Sequence, residues 1–162
     1  MVLTTSRLTL REAEAQDAEA LARYHSDPRY LEHYSERPDA QQIVQIAREW
    51  AVARPRLNHQ FIILLGARDP VIGCTGVRQA GCASGTAEVG IELNPAHWGA
   101  GYAREALSAL IEFAQEDLGL RELSALIAPA NFRAQQLFQN LGFSATQTPG
   151  RDARFRLSMA AV

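Results

Sequence analysis

The chain contains no lysine: all 16 of its basic residues are arginines, set against 18 acidic residues for a formal net charge of −2. These charges are spread along the sequence and form no basic stripe, which argues against broad nucleic-acid binding. Cysteine is scarce as well. Cys74 and Cys82 are the two present, no cluster of His and Cys at metal-ligand spacing accompanies them, and they are expected to be small buried residues rather than a disulfide or a metal pair. Long apolar runs are missing. The longest, Phe61 to Leu65, is far too short to cross a bilayer, and "MVLTTSRLTLRE" lacks the basic start and apolar core of a secretory signal. The expectation is therefore a cytoplasmic protein with no membrane partner and no bound metal.

What is present is ordinary for a folded chain. At 162 residues, with 47% hydrophobic and 21% charged residues, it can bury a sizeable core, and a single domain over residues 1–162 is expected.

"SRLTLRE" alternates Leu8 and Leu10 with polar neighbours, the period of a half-buried strand. Asp17 is placed to cap a helix carrying Leu21, Ala22 and Tyr24; Asp39 with Gln42 makes a capping-box start for a second helix with Ile43, Ile46, Ala47 and Trp50. "HQFIILLGA" and "VIGCTGVRQ" read as adjacent strands joined at Asp69-Pro70, and "TAEVGIELN" as a further strand ending at Pro95. A helix follows with Ala103, Ala106, Leu107, Leu110, Ile111, Ala114 and Leu118 on one stripe, stopped by Gly119. "ELSALIA" is the next strand. Asn131 caps a helix presenting Ala134, Leu137, Phe138 and Leu141 and closed by Gly142, and "FSATQT" with "ARFRLSM" makes a last hairpin. The predicted order, β-α-α-β-β-β-α-β-α-β-β, is a mixed α/β (α+β) domain on a central sheet.

Before the long helix stands "HWGAGYAREAL". Amide groups at a helix start lack intrahelical partners and carry the positive end of the helix dipole, so they hold phosphate without a lysine. Gly99 and Gly101 can supply the dihedrals, small Ala103 leaves room, and Arg104 adds a cation in the first turn. Two glycines before a helix are also simply a favourable turn. The dinucleotide fingerprint is excluded because a third glycine is lacking and the turn follows four predicted strands; a Walker A loop is excluded because no Gly-Lys-Ser/Thr occurs.

Taken together, "SRLTLREAEAQDAEAL", "AEVGIELNPAHWGAGYAREAL" and "NFRAQQLFQNLGF" resemble the GNAT superfamily of N-acetyltransferases, in particular the branch of ribosomal-protein-alanine acetyltransferases. The resemblance covers nearly the whole chain. It implies a mostly antiparallel sheet splayed at the coenzyme site, with acetyl-CoA as co-substrate. Its glycine turn reads Gln/Arg-x-x-Gly-x-Gly/Ala in the family; Trp98 occupies the first position here, and Gly99, Ala100, Gly101, Tyr102 and Ala103 are the residues implied to hold the pyrophosphate. Ile91 and Leu93 are implied to hold the pantetheine arm and acetyl carbonyl, and Asn131 to contact the coenzyme arm as well as to cap its helix.

An amine must be neutral to attack an acetyl group, whereas an alkyl ammonium has a pKa of about 10, so a base is useful. Glu88 and Glu92 flank Gly90 on one face of a strand and can look toward one cleft. Glu88 matches an acidic position of the branch and ranks first as the base; Glu92 reads first as a solvated strand carboxylate or a structural ion pair and second as a base. Phe138 stands where many members carry a proton-donating tyrosine, which leaves the acid unassigned. Tyr30, His33 and Tyr34 fall in the segment implied to wall the acceptor pocket, while His25, His59 and His97 show no partner pattern. The reading is transfer of acetyl from acetyl-CoA to a small-molecule amine or protein N-terminus. Its rivals are transfer of a longer acyl group and a non-catalytic acyl-CoA sensor or partner-binding module. The sequence does not fix the oligomeric state, a dimer included.

Overall fold

The apolar run Phe61 to Leu65 is continuous because its strand is buried on both faces: Phe61 and Ile63 enter one core cluster, Ile62 and Leu64 another. That sandwiched strand sets the layering of the computed structural model, which describes residues 1–34, 37–68, 70–146 and 153–160. In chain order the elements are β1 (Val2–Thr4), β2 (Leu8–Glu12), α1 (Asp17–His25), α2 (Pro28–Tyr34), α3 (Ala40–Val52), β3 (Asn58–Leu65), β4 (Val71–Arg78), β5 (Thr86–Leu93), a 3-10 turn (Pro95–His97), α4 (Tyr102–Glu116), β6 (Glu122–Ile127), α5 (Phe132–Asn140), β7 (Ser144–Thr146) and β8 (Ala153–Ser158).

The strands form one sheet in the order β1-β2-β3-β4-β5-β6-β8-β7. All neighbours are antiparallel except β5 and β6. On one face α4 packs Ala106, Leu107, Leu110 and Phe113 against Leu10, Phe61, Val77 and Val89. On the other, Leu21 and Tyr24 of α1, Tyr30 of α2 and Val44 of α3 cover Ile62, Leu64 and Cys74. This is the expected mixed α/β architecture, with two elements added. β1 pairs with β2 as an edge hairpin, and the segment expected to join two helices is itself helical as α2. Its start has a local cause: Pro28 sits at the first helical position, where a missing N–H costs nothing, and the Asp27 carboxylate accepts from Arg29 N at 2.9 Å.

Several caps follow the sequence. Asp39 accepts from Gln42 N while the Gln42 side chain returns to Asp39 N, a complete capping box. Asn131 accepts from Ala134 N at 3.1 Å. At the end of α5, Gly142 N donates to Gln139 O and Phe143 N to Phe138 O, with Phe143 against Phe138 at 5.0 Å between ring centroids. This is a Schellman closure with its hydrophobic contact.

Asp17 behaves differently from expectation. Gln16 precedes α1 without a side-chain cap, and the buried Asp17 carboxylate accepts from Glu14 N and takes both Arg11 Nη1 and Nη2 at 2.8 Å. The arginine fork outcompetes the cap because it offers two charge-assisted bonds.

Cys74 is buried and Cys82 half-buried, both as free thiols. The expected turn at Asp69 and the end of "FSATQT" lie outside the described residues. Among the described residues, no helix is long and apolar enough to cross a membrane.

Replacing Asp39 with Ala removes the capping box and should cost about 1 kcal/mol. Urea unfolding is expected to show a lower midpoint at unchanged slope.

Candidate functional site

β5 and β6 pair only over Thr86–Glu122, Ala87–Leu123 and Glu88–Ser124. Both strands then continue, to Leu93 and Ile127, so the sheet opens into a wedge at Val89 on one side and Ala125 on the other. Main-chain groups at such an edge need other partners. Two carbonyls have them: Tyr34 Oη donates to Ile91 O at 3.3 Å, and Trp98 Nε1 to Leu93 O at 3.1 Å.

The wedge opens onto a cavity of about 490 Å³. One end is walled by Gly99, Gly101, Tyr102, Ala103 and Arg104, the middle by Ile91, Leu93, Leu137 and Phe138, and the far end by Gly90, His33, Tyr34 and Arg37. Trp98, Asn131 and Arg133 also line it.

The glycine end is built from two left-handed residues, Gly99 at φ +82° and Gly101 at φ +83°. Gly101 is the N-cap of α4 and has no side chain to satisfy the first amides of the helix. Arg7, a residue to which sequence reasoning assigned no part, braces this turn. Its Nη1 donates to Ala100 O at 2.9 Å, its Nε pairs with Glu105 at 2.7 Å, and its guanidinium lies 4.5 Å from the Tyr102 ring centroid. Ala100 thus supports the turn from outside the cavity lining. Burial opposes the charge on Glu105, yet hydrogen bonds from Thr5, Arg7 and Ser6 hold its pKa down to about 2. Trp98 fixes the turn from the other side, with Arg133 over its ring at 4.8 Å.

Glu88, Gly90 and Glu92 share one face of β5, as the alternation requires, but the two carboxylates meet different environments. Glu92 is sealed. It receives Tyr24 Oη at 2.7 Å, Tyr30 Oη at 3.0 Å and Arg37 Nη1 at 3.0 Å, and lies 2.8 Å from His25 Nε2. Burial alone would raise its pKa; the His25 hydrogen bond and the Arg37 charge outweigh it and lower the value to about 2. A carboxylate so stabilised is a weak proton acceptor, so the geometry turns Glu92 from a candidate base into an anchor for α1 and α2. Glu88 remains about one-third exposed, with Arg154 Nη1 at 3.3 Å, and stands next to wall residue Val89 without itself lining the cavity.

Tyr30, expected at the acceptor pocket, is turned into the Glu92 cluster and is absent from the cavity wall. Tyr34 and His33 do reach that wall. His25, which showed no partner pattern in sequence, finds Glu92 across 67 positions. Pairing over that separation leaves no local signal. His59 is buried between Phe61 and Phe113, and burial lowers its pKa to about 4.

A glycine turn at a helix start, apolar side chains and a polar group line one cavity. A model of the acetyltransferase (GNAT) domain matches residues 7–144, and the chain belongs to that family, as an acetyl-CoA-dependent acetyltransferase. It is 32% identical over 146 residues to the uncharacterized N-acetyltransferase p20 of Bacillus licheniformis, covering 87% of this chain and 81% of that one. Its fold matches a Vibrio cholerae protein provisionally described as a ribosomal-protein-serine acetyltransferase, at TM-score 0.82, 23% identity and 98% of both chains. A spermidine N-acetyltransferase from Vibrio cholerae, solved with CoA and spermine, matches at TM-score 0.77 and 20% identity over 95% of this chain and 96% of that one.

Because the folded-state pKa of Glu92 lies below its ordinary 4.5, its contribution to stability is full above that value and is lost as pH falls toward about 2. Glu92→Gln should destabilise the protein at pH 7 by about 2 kcal/mol and flatten part of this acid limb. Thermal unfolding at stepped pH checks both.

Proposed function

We propose that the protein moves the acetyl group of acetyl-CoA to a primary amine by direct attack. The observation that carries this reading is the continuity of the β5–β6 wedge with the glycine turn in one cavity. Amides at the start of α4 hold the pyrophosphate, with Arg104 as a nearby cation. The pantetheine arm runs along Ile91 and Leu93, past Asn131, which caps α5 and faces the cavity at once.

The acceptor amine enters from the far end, beside Gly90, Tyr34 and His33. Its nitrogen forms a bond to the acetyl carbon, the C–S bond breaks, and CoA leaves as thiolate. Glu88 accepts the amine proton through water; it is the β5 carboxylate with solvent access, and among the described residues it has one ion pair. No cysteine takes part: direct attack needs no nucleophilic side chain, and Cys74 is buried against Glu92, its cross-strand neighbour. Phe138 has no proton to give, but a thiol of ordinary pKa about 8.5 departs tolerably without an acid, and positioning supplies the rest.

Phe138 also favours a second reading, a sensor that binds acyl-CoA without turnover. Calorimetric titration with acetyl-CoA, followed by thiol-release assays on amines and N-terminal peptides, separates the two. Because the chain has no lysine, lysine self-acetylation adds no background. Saturable binding with turnover on one acceptor supports the transferase; binding without turnover on any of them supports the sensor.

Two variants test the parts. Gly101→Asp should weaken acetyl-CoA binding by about a hundredfold, comparable to losing a charged hydrogen bond. Gly101→Asn, similar in shape and equally tolerant of a left-handed backbone, should retain most of the affinity. Glu88→Gln should lower kcat by about a hundredfold and alter its pH profile; unchanged turnover and profile would remove Glu88 as the base.

A further inference from the structure

The sheet face that carries Glu88 and Gly90 continues across β6 and β8 as Glu122, Ser124, Leu126, Arg154 and Arg156. Leu126 is 52% exposed, so this half of the face meets solvent. Arg78, cross-strand from Glu88, belongs to it. Among the described residues its charges are Arg78, Arg154 and Arg156 against Glu88 and Glu122, one positive in excess, in a chain whose total is −2. Arg154 pairs with Glu88 and Arg156 lies 3.9 Å from Glu122. The Arg78 guanidinium has no ion pair or hydrogen bond among the described residues, while its main-chain carbonyl accepts from Cys82 Sγ.

Its guanidinium is directed at Gly90. A β-carbon at Gly90 would stand 3.3 Å from Arg78 Nη2 and 3.9 Å from Arg37 Nη2. Arg37 uses its other terminal nitrogen for Glu92, which leaves Nη2 near Gly90, and Gly90 and Arg37 are both wall residues of the cavity. Two guanidinium groups this close repel one another, an effect that Glu92 on Arg37 and Glu88 near Arg78 offset only in part. Burial and the charge of Arg37 accordingly lower the pKa of Arg78. Glycine at position 90 lets the Arg78 guanidinium lie close over the strand, near Arg37 at the cavity wall. A carboxylate placed there would accept hydrogen bonds from both arginines and relieve the repulsion, using the fork geometry for which arginine is suited.

We propose that Arg78 and Arg37 form a carboxylate-binding subsite over Gly90, and that the acceptor is an amine bearing a nearby carboxylate, as an amino acid does. The inference rests on the acetyl-transfer reading above and names its substrate class. Residues two apart on one strand face are about 6–7 Å from each other, so a carboxylate over Gly90 leaves the attached amine within reach of both the wedge and Glu88. A polyamine would bring further positive charge to the same place and is disfavoured.

The test compares kcat/KM, by thiol release with acetyl-CoA, for free amino acids, their primary carboxamides, spermidine, and a C-terminally amidated tripeptide with an acidic side chain. Free carboxylates should exceed the matching carboxamides by at least about tenfold, the scale of a charge-assisted pair. Arg78→Gln should bring that ratio near one, and Arg78→Lys should restore part of it. Titration with acetyl-CoA confirms that the variants are folded. If the acidic tripeptide amide is preferred and Arg78→Gln removes the preference, the subsite stands and the carboxylate comes from a peptide side chain. Equal turnover of carboxamides, preference for spermidine, or a ratio unchanged in Arg78→Gln overturns the subsite while leaving acetyl transfer intact. No turnover of any amine by protein that binds acetyl-CoA overturns the transferase reading itself, and the subsite with it.

Discussion

The separation of β5 from β6 beyond Glu88 and Ser124 is the constraint on which the rest of the site depends. A sheet normally closes its ladders, because unpaired main-chain groups are costly. Here the edge is kept apart by side chains that substitute for a strand: Tyr34 meets the Ile91 carbonyl and Trp98 meets the Leu93 carbonyl. Trp98 also begins the glycine turn, so the bond that satisfies the open edge positions the start of α4. Arg7 completes the frame from the β1–β2 connection by holding Ala100 O and Glu105.

On the opposite face, the Glu92 carboxylate joins elements that the sheet alone would not hold together. Its partners come from α1, α2 and Arg37. A buried charge is tolerable when it is paired and its lone pairs are filled, and both conditions are met. The same satisfaction makes Glu92 a poor base. Arg37 belongs to both regions, with one terminal nitrogen on Glu92 and the other at the cavity. The Glu92 cluster and the Gly90 end of the cavity therefore share Arg37.

Much of this was legible in the sequence wherever the cause was local. The alternation in "TAEVGIELN" put Glu88, Gly90 and Glu92 on one face; Asp39 with Gln42, and Asn131, declared their caps; and the glycines of "WGAGYA" occupy the left-handed positions that such a turn needs. The pattern was silent where partners lie far apart. Tyr24 and Glu92 are 68 positions apart, and Arg7 and Ala100 are 93; no period or cap connects such pairs. Tyr30 illustrates the consequence, since an aromatic residue in an acceptor-side segment proved to belong to the anchor. α2 did leave a signal, the Asp27-Pro28 pair, which reads as a helix start as readily as a turn. The point at which β5 leaves β6 has no local signature, because it results from contacts made by Tyr34 and Trp98.

The most direct test of this account is amide hydrogen exchange of the intact protein with and without acetyl-CoA, resolved to single residues. The account predicts slowed exchange at residues 89–93, along the open edge, and at residues 101–104, at the start of α4, as the coenzyme fills the wedge and the turn. Unchanged exchange at both segments under saturating acetyl-CoA, or protection confined to another part of the sheet, would contradict it.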